Sequence, residues 1–300
     1  MRRWLLGNSD PVAEPELVTF EGDDLQVTES GQVLREFPDA LSVADLNLGR
    51  ARELTSARKD FWQLHEAPAA LAKVRQLVGV AETILPPEIE RCGVIDRGDY
   101  RIEKLILRRE GQVPIPALLA RALQPVGKSS VVLYVDDRGK AADAGLGGPV
   151  EELVLTGHAV LSIDVRGFGE TADSPSKIVY APGDHRTAMW SMHLGKPLLG
   201  QRVEDVLGAL SCLPRLTSVN EAAKIDLIGV GAAGPVVLHA ACLDSRIGLV
   251  TARKSIGSWV EDVVARPRDL HAISHAVPSA LTTYDLPDLA ALLGDRLTIE

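Results

Sequence analysis

Three cysteines, Cys92, Cys212 and Cys242, are all that the 300-residue chain carries. They are odd in number, widely separated and without metal-like spacing, so they describe neither a disulfide framework nor a zinc site, and they leave the compartment open. No block of clustered Lys or Arg occurs and the net charge is -9, which argues against nucleic acid or an anionic membrane as the main partner. Small molecules or other proteins are the expected partners. Long apolar runs are also missing. The run in "MRRWLLGNSD" stops at Gly7 and Asn8, too short for a signal-peptide core, and nothing approaches the roughly 20 apolar residues that span a bilayer. There is no internal repeat and no low-complexity segment.

What is present is a hydrophobic content of 46%, enough for a sizeable core in one large domain or two small ones. Residues 1–42 are rich in Pro, Asp, Glu and Gly and read as an extended linker. Residues 43–96 read as a helical region, with apolar positions at helical spacing and a break around Pro68 that divides two helices. From residue 97 onward strands and helices alternate. "YRIEKLILRRE" and "PIPALLARAL" read as an antiparallel pair, "SSVVLYVD" as a strand buried on both faces, and "GPVEELVLTG", "HAVLSIDVRG", "LLGQRVEDVLGALSCL", "KIDLIGV", "AGPVVLHAACL" and "IGLVTA" as helix and strand in turn. That alternation predicts a mostly parallel sheet with helices on both faces, a three-layer α/β/α sandwich over residues 97–300.

The stretch "IDLIGVGAAGPVVLHAAC" places Gly229, Gly231, Ala232 and Gly234 between a strand and a helix. Two chemistries use such a turn. In a dinucleotide site, Gly229, Gly231 and Gly234 would follow the first strand of a βαβ unit, and Arg253 and Lys254 would suit the phosphorylated ribose of NADP. The late position of the stretch and Pro235 just after the third glycine weigh against it. In a nucleophile turn, Gly-x-Ser-x-Gly, small residues flank a serine because strand and helix approach closely. Gly231 stands where the serine oxygen is needed, so covalent serine catalysis is not expected.

Together "SIDVRGFGETAD", "GKPLLGQRVEDVLGAL", "IGVGAAGPVVLHAACLD" and "YDLPDLAALL" resemble the α/β-hydrolase superfamily, specifically the acetyl xylan esterases and related carbohydrate esterases, over residues 97–300. The resemblance implies an α/β-hydrolase-type sandwich with the nucleophile turn after the fifth strand. It also implies acid and histidine positions after "DRLTIE", so the domain reads as truncated before them. The opening "RRWLLG" resembles the helix that closes such a domain, which implies a degenerate C-terminal domain of a tandem protein. The expected role is a pseudo-hydrolase that scaffolds an upstream hydrolase domain or binds a carbohydrate or ester ligand, without a cofactor. The alternative is an active ester hydrolase completed by residues elsewhere.

Other chemistry-bearing residues have structural explanations at hand. Ser255 and Ser258, with Glu261 three residues after the latter, form a helix-capping pattern. His271 and His275 share a helical spacing but lack the HExxH glutamate or a third ligand, so no metal site is expected. Asp136 and Asp137, in the turn that in hydrolases supplies an oxyanion-hole N–H, put negative charge where an oxyanion would develop and read as a solvated turn. Asp164 and Arg166 are expected to tie the turn after their strand, and His239 to pack within its helix. The long insertion brings Tyr180, Asp184, His185, Trp190 and His193, which with Asp136 and Ser258 are candidate cleft residues.

Overall fold

The computed structural model describes residues 2–11, 15–124, 130–173, 183–217, 224–266 and 272–300. The chain divides into two compact units, Met1–Leu46 and Asn47–Glu300. In the first, helices α1 (Arg2–Leu5) and α2 (Val33–Glu36) are a single turn each, and no described residue is buried. The Pro, Gly and acidic residues of this stretch favour turns and solvated backbone over packed elements.

Helix α3 (Val43–Leu64) starts at a capping exchange, in which the Asp45 N–H donates to Ser42 Oγ and the Ser42 N–H donates to Asp45 Oδ2. Helix α4 (Ala67–Val78) takes Pro68 in its first turn and ends at Gly79, whose φ of 70° suits a left-handed C-terminal residue. The break falls where the sequence places it. The rest of the expected helical region does not hold: Glu88–Asp96 is a strand, β1, paired antiparallel with β2 (Tyr100–Arg108). Its side chains are mostly exposed and a bulge interrupts it between Arg91 and Gly93, so it lacks the apolar alternation that marks a half-buried strand.

The sheet continues with β3 (Ile115–Ala122), β4 (Val131–Asp136), β5 (Ala159–Ile163), β6 (Ile225–Val230), β7 (Ile247–Arg253) and β8 (Leu297–Ile299). Its order is β1-β2-β3-β5-β4-β6-β7-β8, with the β1–β2, β2–β3 and β3–β5 pairs antiparallel and the remaining neighbours parallel. Every residue of β4 and β5 is buried, as continuous apolar runs at the centre of a parallel sheet require. Alternate residues divide between two cores. Val131, Leu133 and Val135 pack with α4, α7 (Leu198–Leu210), α9 (Gly234–Leu243) and α10 (Leu286–Leu293). Val132 and Tyr134 pack with Val150 and Val154 of α5 (Pro149–Leu155) on the opposite face. The result is a three-layer α/β/α sandwich, and the parallel strands β4, β5, β6 and β7 bring their carboxyl ends to one edge.

Helix α9 carries one buried titratable group. His239 is completely enclosed; its Nδ1 lies 2.6 Å from the Pro235 carbonyl oxygen and its Nε2 2.9 Å from the Tyr284 hydroxyl, with Trp259 against both rings. Burial holds its pKa down to about 4 from the ordinary 6.5. A folded-state value below the unfolded one means that this stabilisation is complete above pH 6.5 and is lost as pH falls through 4. Urea unfolding is expected to show a loss of about 3 kcal/mol between pH 7.5 and 4 that disappears in His239→Gln.

Candidate functional site

Strand β6 ends at Val230, and the chain then turns through Gly231, Ala232 and Ala233 into α9. Gly231 has a φ of 61°, in the left-handed region that side-chain-bearing residues avoid. Close packing explains the small residues around it. A Cβ on Gly229 would meet Val237 of α9 at 2.5 Å, and one on Gly234 would overlap the Ser255 hydroxyl. At Gly231 itself a Cβ would overlap the Asp137 carboxylate.

Asp137 comes from the turn that follows β4, next to β6 in the sheet. Its Oδ2 accepts the Ala232 N–H at 2.8 Å. The remaining backbone donors of this turn are also engaged. The Asp137 N–H reaches the Val230 oxygen at 3.4 Å, the Arg138 N–H donates to Asp136 Oδ1 at 2.8 Å, the Gly139 N–H to the Asp136 oxygen at 2.9 Å, and the Lys140 N–H to Asp164 Oδ1 at 2.5 Å. The turn is therefore not the solvated one the sequence suggested. Asp136 is only 1% exposed, and the Arg138 guanidinium pairs with it through two nitrogens.

Over this turn lies a cavity of about 240 Å³ lined by Asp137, Gly167, Phe168, Ala172, Asp173, Gly183, Asp184, His185, Ala232 and Ser274. Two buried arginines build its wall from behind. Arg166 follows β5 and clasps Asp205 of α7, with Nε at 2.8 Å from Oδ2 and Nη2 at 2.5 Å from Oδ1. Arg202, fully buried one turn earlier in α7, donates Nε to the Arg166 oxygen, pairs with Asp184 and lies 4.1 Å from the centre of the Phe168 ring. Burial lowers the Arg202 pKa, and Asp184, Asp205 and Asp137 oppose that shift. Asp164 accepts the Lys140 and Glu170 N–H groups, so this acid and Arg166 fix the loop after β5 as expected.

Among solved structures, a protein from Bacteroides fragilis assigned as an acetyl xylan esterase is similar with a TM-score of 0.69 at 15% identity, over 93% of this chain and 79% of that one. A glucuronoyl esterase from Solibacter usitatus is similar with a TM-score of 0.54 at 14% identity, over 79% of this chain and 74% of that one. The fold is of α/β-hydrolase type. No family model and no curated protein sequence matches the chain. In an α/β-hydrolase the strand-to-helix turn carries the nucleophile, and the next N–H, with one from the neighbouring strand's turn, receives the oxyanion. In this chain the strand-to-helix turn runs through Gly231 and Ala232, and the turn after the neighbouring strand carries Asp137.

The sequence-derived cleft residues are scattered. His185, at the start of α6 (His185–His193), lines the cavity, and its Nδ1 is buried without a hydrogen-bond partner among the described residues. Trp190 is 65% exposed, against His193 on the same helix, and neither lines the cavity. Ser258 receives the Glu261 N–H at 3.2 Å, as its capping role requires, and donates to Asp285 at 2.6 Å. Tyr180 and His271 lie outside the described residues; His275 closes a 3-10 turn, and no group of three or more metal-ligating side chains occurs among the described residues. Arg253, assigned to a ribose phosphate in the dinucleotide alternative, has its Nε 2.7 Å from Glu300 Oε2. Asp184, in the insertion read as a pocket wall, lines the cavity; Asp137 reads in the sequence as a solvated turn residue, and Phe168 and Asp173 are not singled out there as site residues. The spacing of "YVDDRG" after a buried strand was the available signal for Asp137.

Proposed function

We propose that this chain is a non-hydrolytic member of the α/β-hydrolase fold, whose cavity binds a small carbohydrate-type ligand without breaking an ester bond. One observation carries the reading: the apex of the turn is a glycine, and the adjacent Ala232 N–H is already occupied by the Asp137 carboxylate. Ester hydrolysis by this fold needs an attacking oxygen at the first position and a vacant donor at the second. The hydroxyl-rich ligand class follows from the acceptors in the wall, Asp137, Asp173 and Asp184, and is in keeping with the acetyl xylan and glucuronoyl esterases of similar fold. The purified chain is expected to hydrolyse p-nitrophenyl acetate no faster than a heat-denatured control and to take no covalent label from a fluorophosphonate. Turnover or a labelled residue would overturn the reading, including in favour of an active esterase completed by residues elsewhere.

A scaffold role is favoured by a separate observation. Taken by itself, the first unit exposes Trp4, Leu17, Phe20 and Phe37, each by more than half of its surface. Side chains of this kind gain by covering on a partner such as an upstream hydrolase domain of the same native protein. Co-purification with that domain, lost when residues 1–46 are deleted, is the expected result.

A further inference from the structure

We propose that Asp137 is an intramolecular plug: its carboxylate occupies the oxyanion position of the turn and excludes external carboxylates and ester carbonyls from the cavity. The inference rests on the proposed reading of this cavity as the ligand site, and adds which ligands that site refuses. A carboxylate oxygen 2.8 Å from the Ala232 nitrogen takes the only outward interaction that this N–H can make. It also fills the space into which a side chain on Gly231 would project. The plug and its receptor are 95 residues apart in sequence and lie in the turns that follow adjacent parallel strands, so they are brought together by the sheet itself.

The position beneath the plug is suited to negative charge. Arg202 is fully buried nearby, and Asp137 is among the acids whose charge acts on it. The Ala232 N–H precedes the first turn of α9, whose aligned peptide dipoles favour an anion at that end. A free anion must displace a tethered one of the same chemistry, and the tethered group loses little translational freedom on binding. The site therefore excludes small carboxylates at ordinary concentrations while keeping the machinery to hold them. With the plug in place, the carboxylates of Asp137, Asp173 and Asp184 offer a ligand acceptor oxygens.

The test is a titration of sodium acetate into 15N-labelled full chain, following the amide signals of Gly231, Ala232 and Ala233. In Asp137→Ala these signals are expected to shift saturably, with at least about tenfold tighter apparent binding than in the wild type, the scale of one charge-assisted hydrogen bond. A wild type that binds acetate at Ala232 as tightly as the variant overturns the plug. So does a folded Asp137→Ala that shows no acetate response. Should that variant not fold, Asp137→Asn keeps the side-chain shape and carries the test. Its Ala232 amide proton is expected to move upfield as the charged acceptor is lost, and an unchanged shift overturns the proposal. Fluorophosphonate labelling of the wild type would instead sink the non-hydrolytic reading and leave the acetate result standing.

Discussion

Asp205→Ala is expected to lower the unfolding free energy by about 3–5 kcal/mol, the largest loss for a single side-chain truncation in this site. Asp205 is completely buried on α7, and its two oxygens receive Arg109 Nη2 at 2.9 Å, the Arg166 N–H at 3.1 Å, and Arg166 Nε and Nη2. Truncation leaves two guanidinium groups, with side chains only 9% and 10% exposed, without their counter-charge. That uncompensated burial, rather than the loss of the pair's own attraction, sets the magnitude. The loop holding Gly167 and Phe168 hangs from Arg166, so a cavity-bound ligand should also be lost. Urea unfolding gives the first quantity. A loss under about 1 kcal/mol would mean that the pair is solvated, contrary to its geometry. Asp205→Asn keeps an acceptor in place and is expected to cost less than the alanine change.

The same helix shows where sequence reading stops. "LLGQRVEDVLGAL" has the spacing of an amphipathic helix, and its Arg, Glu and Asp look like a solvated face. Twelve of its residues are nevertheless buried, because Arg166, Asp184 and Lys196 meet those charges from elsewhere in the chain. The strands were legible for the opposite reason. β4 and β5 are buried on both faces, which favours apolar residues at nearly every position, and the run stands out without knowledge of its neighbours. β1 was illegible because it is largely exposed and bulged, with little burial to impose a pattern on its residues. At the site, the strand-to-helix turn and its glycines are local features and could be read. The occupant of the turn could not. Asp137 acts through a contact 95 residues distant, and nothing in "YVDDRG" tells whether an acid there faces water or an amide.

Gly231→Ser tests that contact from the other side and is expected to cost about 2.5–5 kcal/mol, although it introduces the residue type a hydrolase uses at such a turn. A serine at a φ of 61° carries the left-handed penalty of roughly 1–2 kcal/mol. Its Cβ also overlaps Asp137 and must push that carboxylate off the Ala232 N–H, at a further cost of about 1.5–3 kcal/mol for a charged hydrogen bond. The second contribution vanishes once Asp137 is gone. In an Asp137→Ala background the serine should cost only the backbone penalty, about 1–2 kcal/mol, giving a coupling near 2 kcal/mol in a double-mutant cycle read by urea unfolding. Equal costs in both backgrounds would show that the serine and the carboxylate do not compete for one space. Where they do compete, a lone serine displaces the plug at the expense of stability; a serine hydroxyl without a hydrogen-bonded base is a weak nucleophile, so Gly231→Ser alone is expected to leave ester turnover at the level of the control.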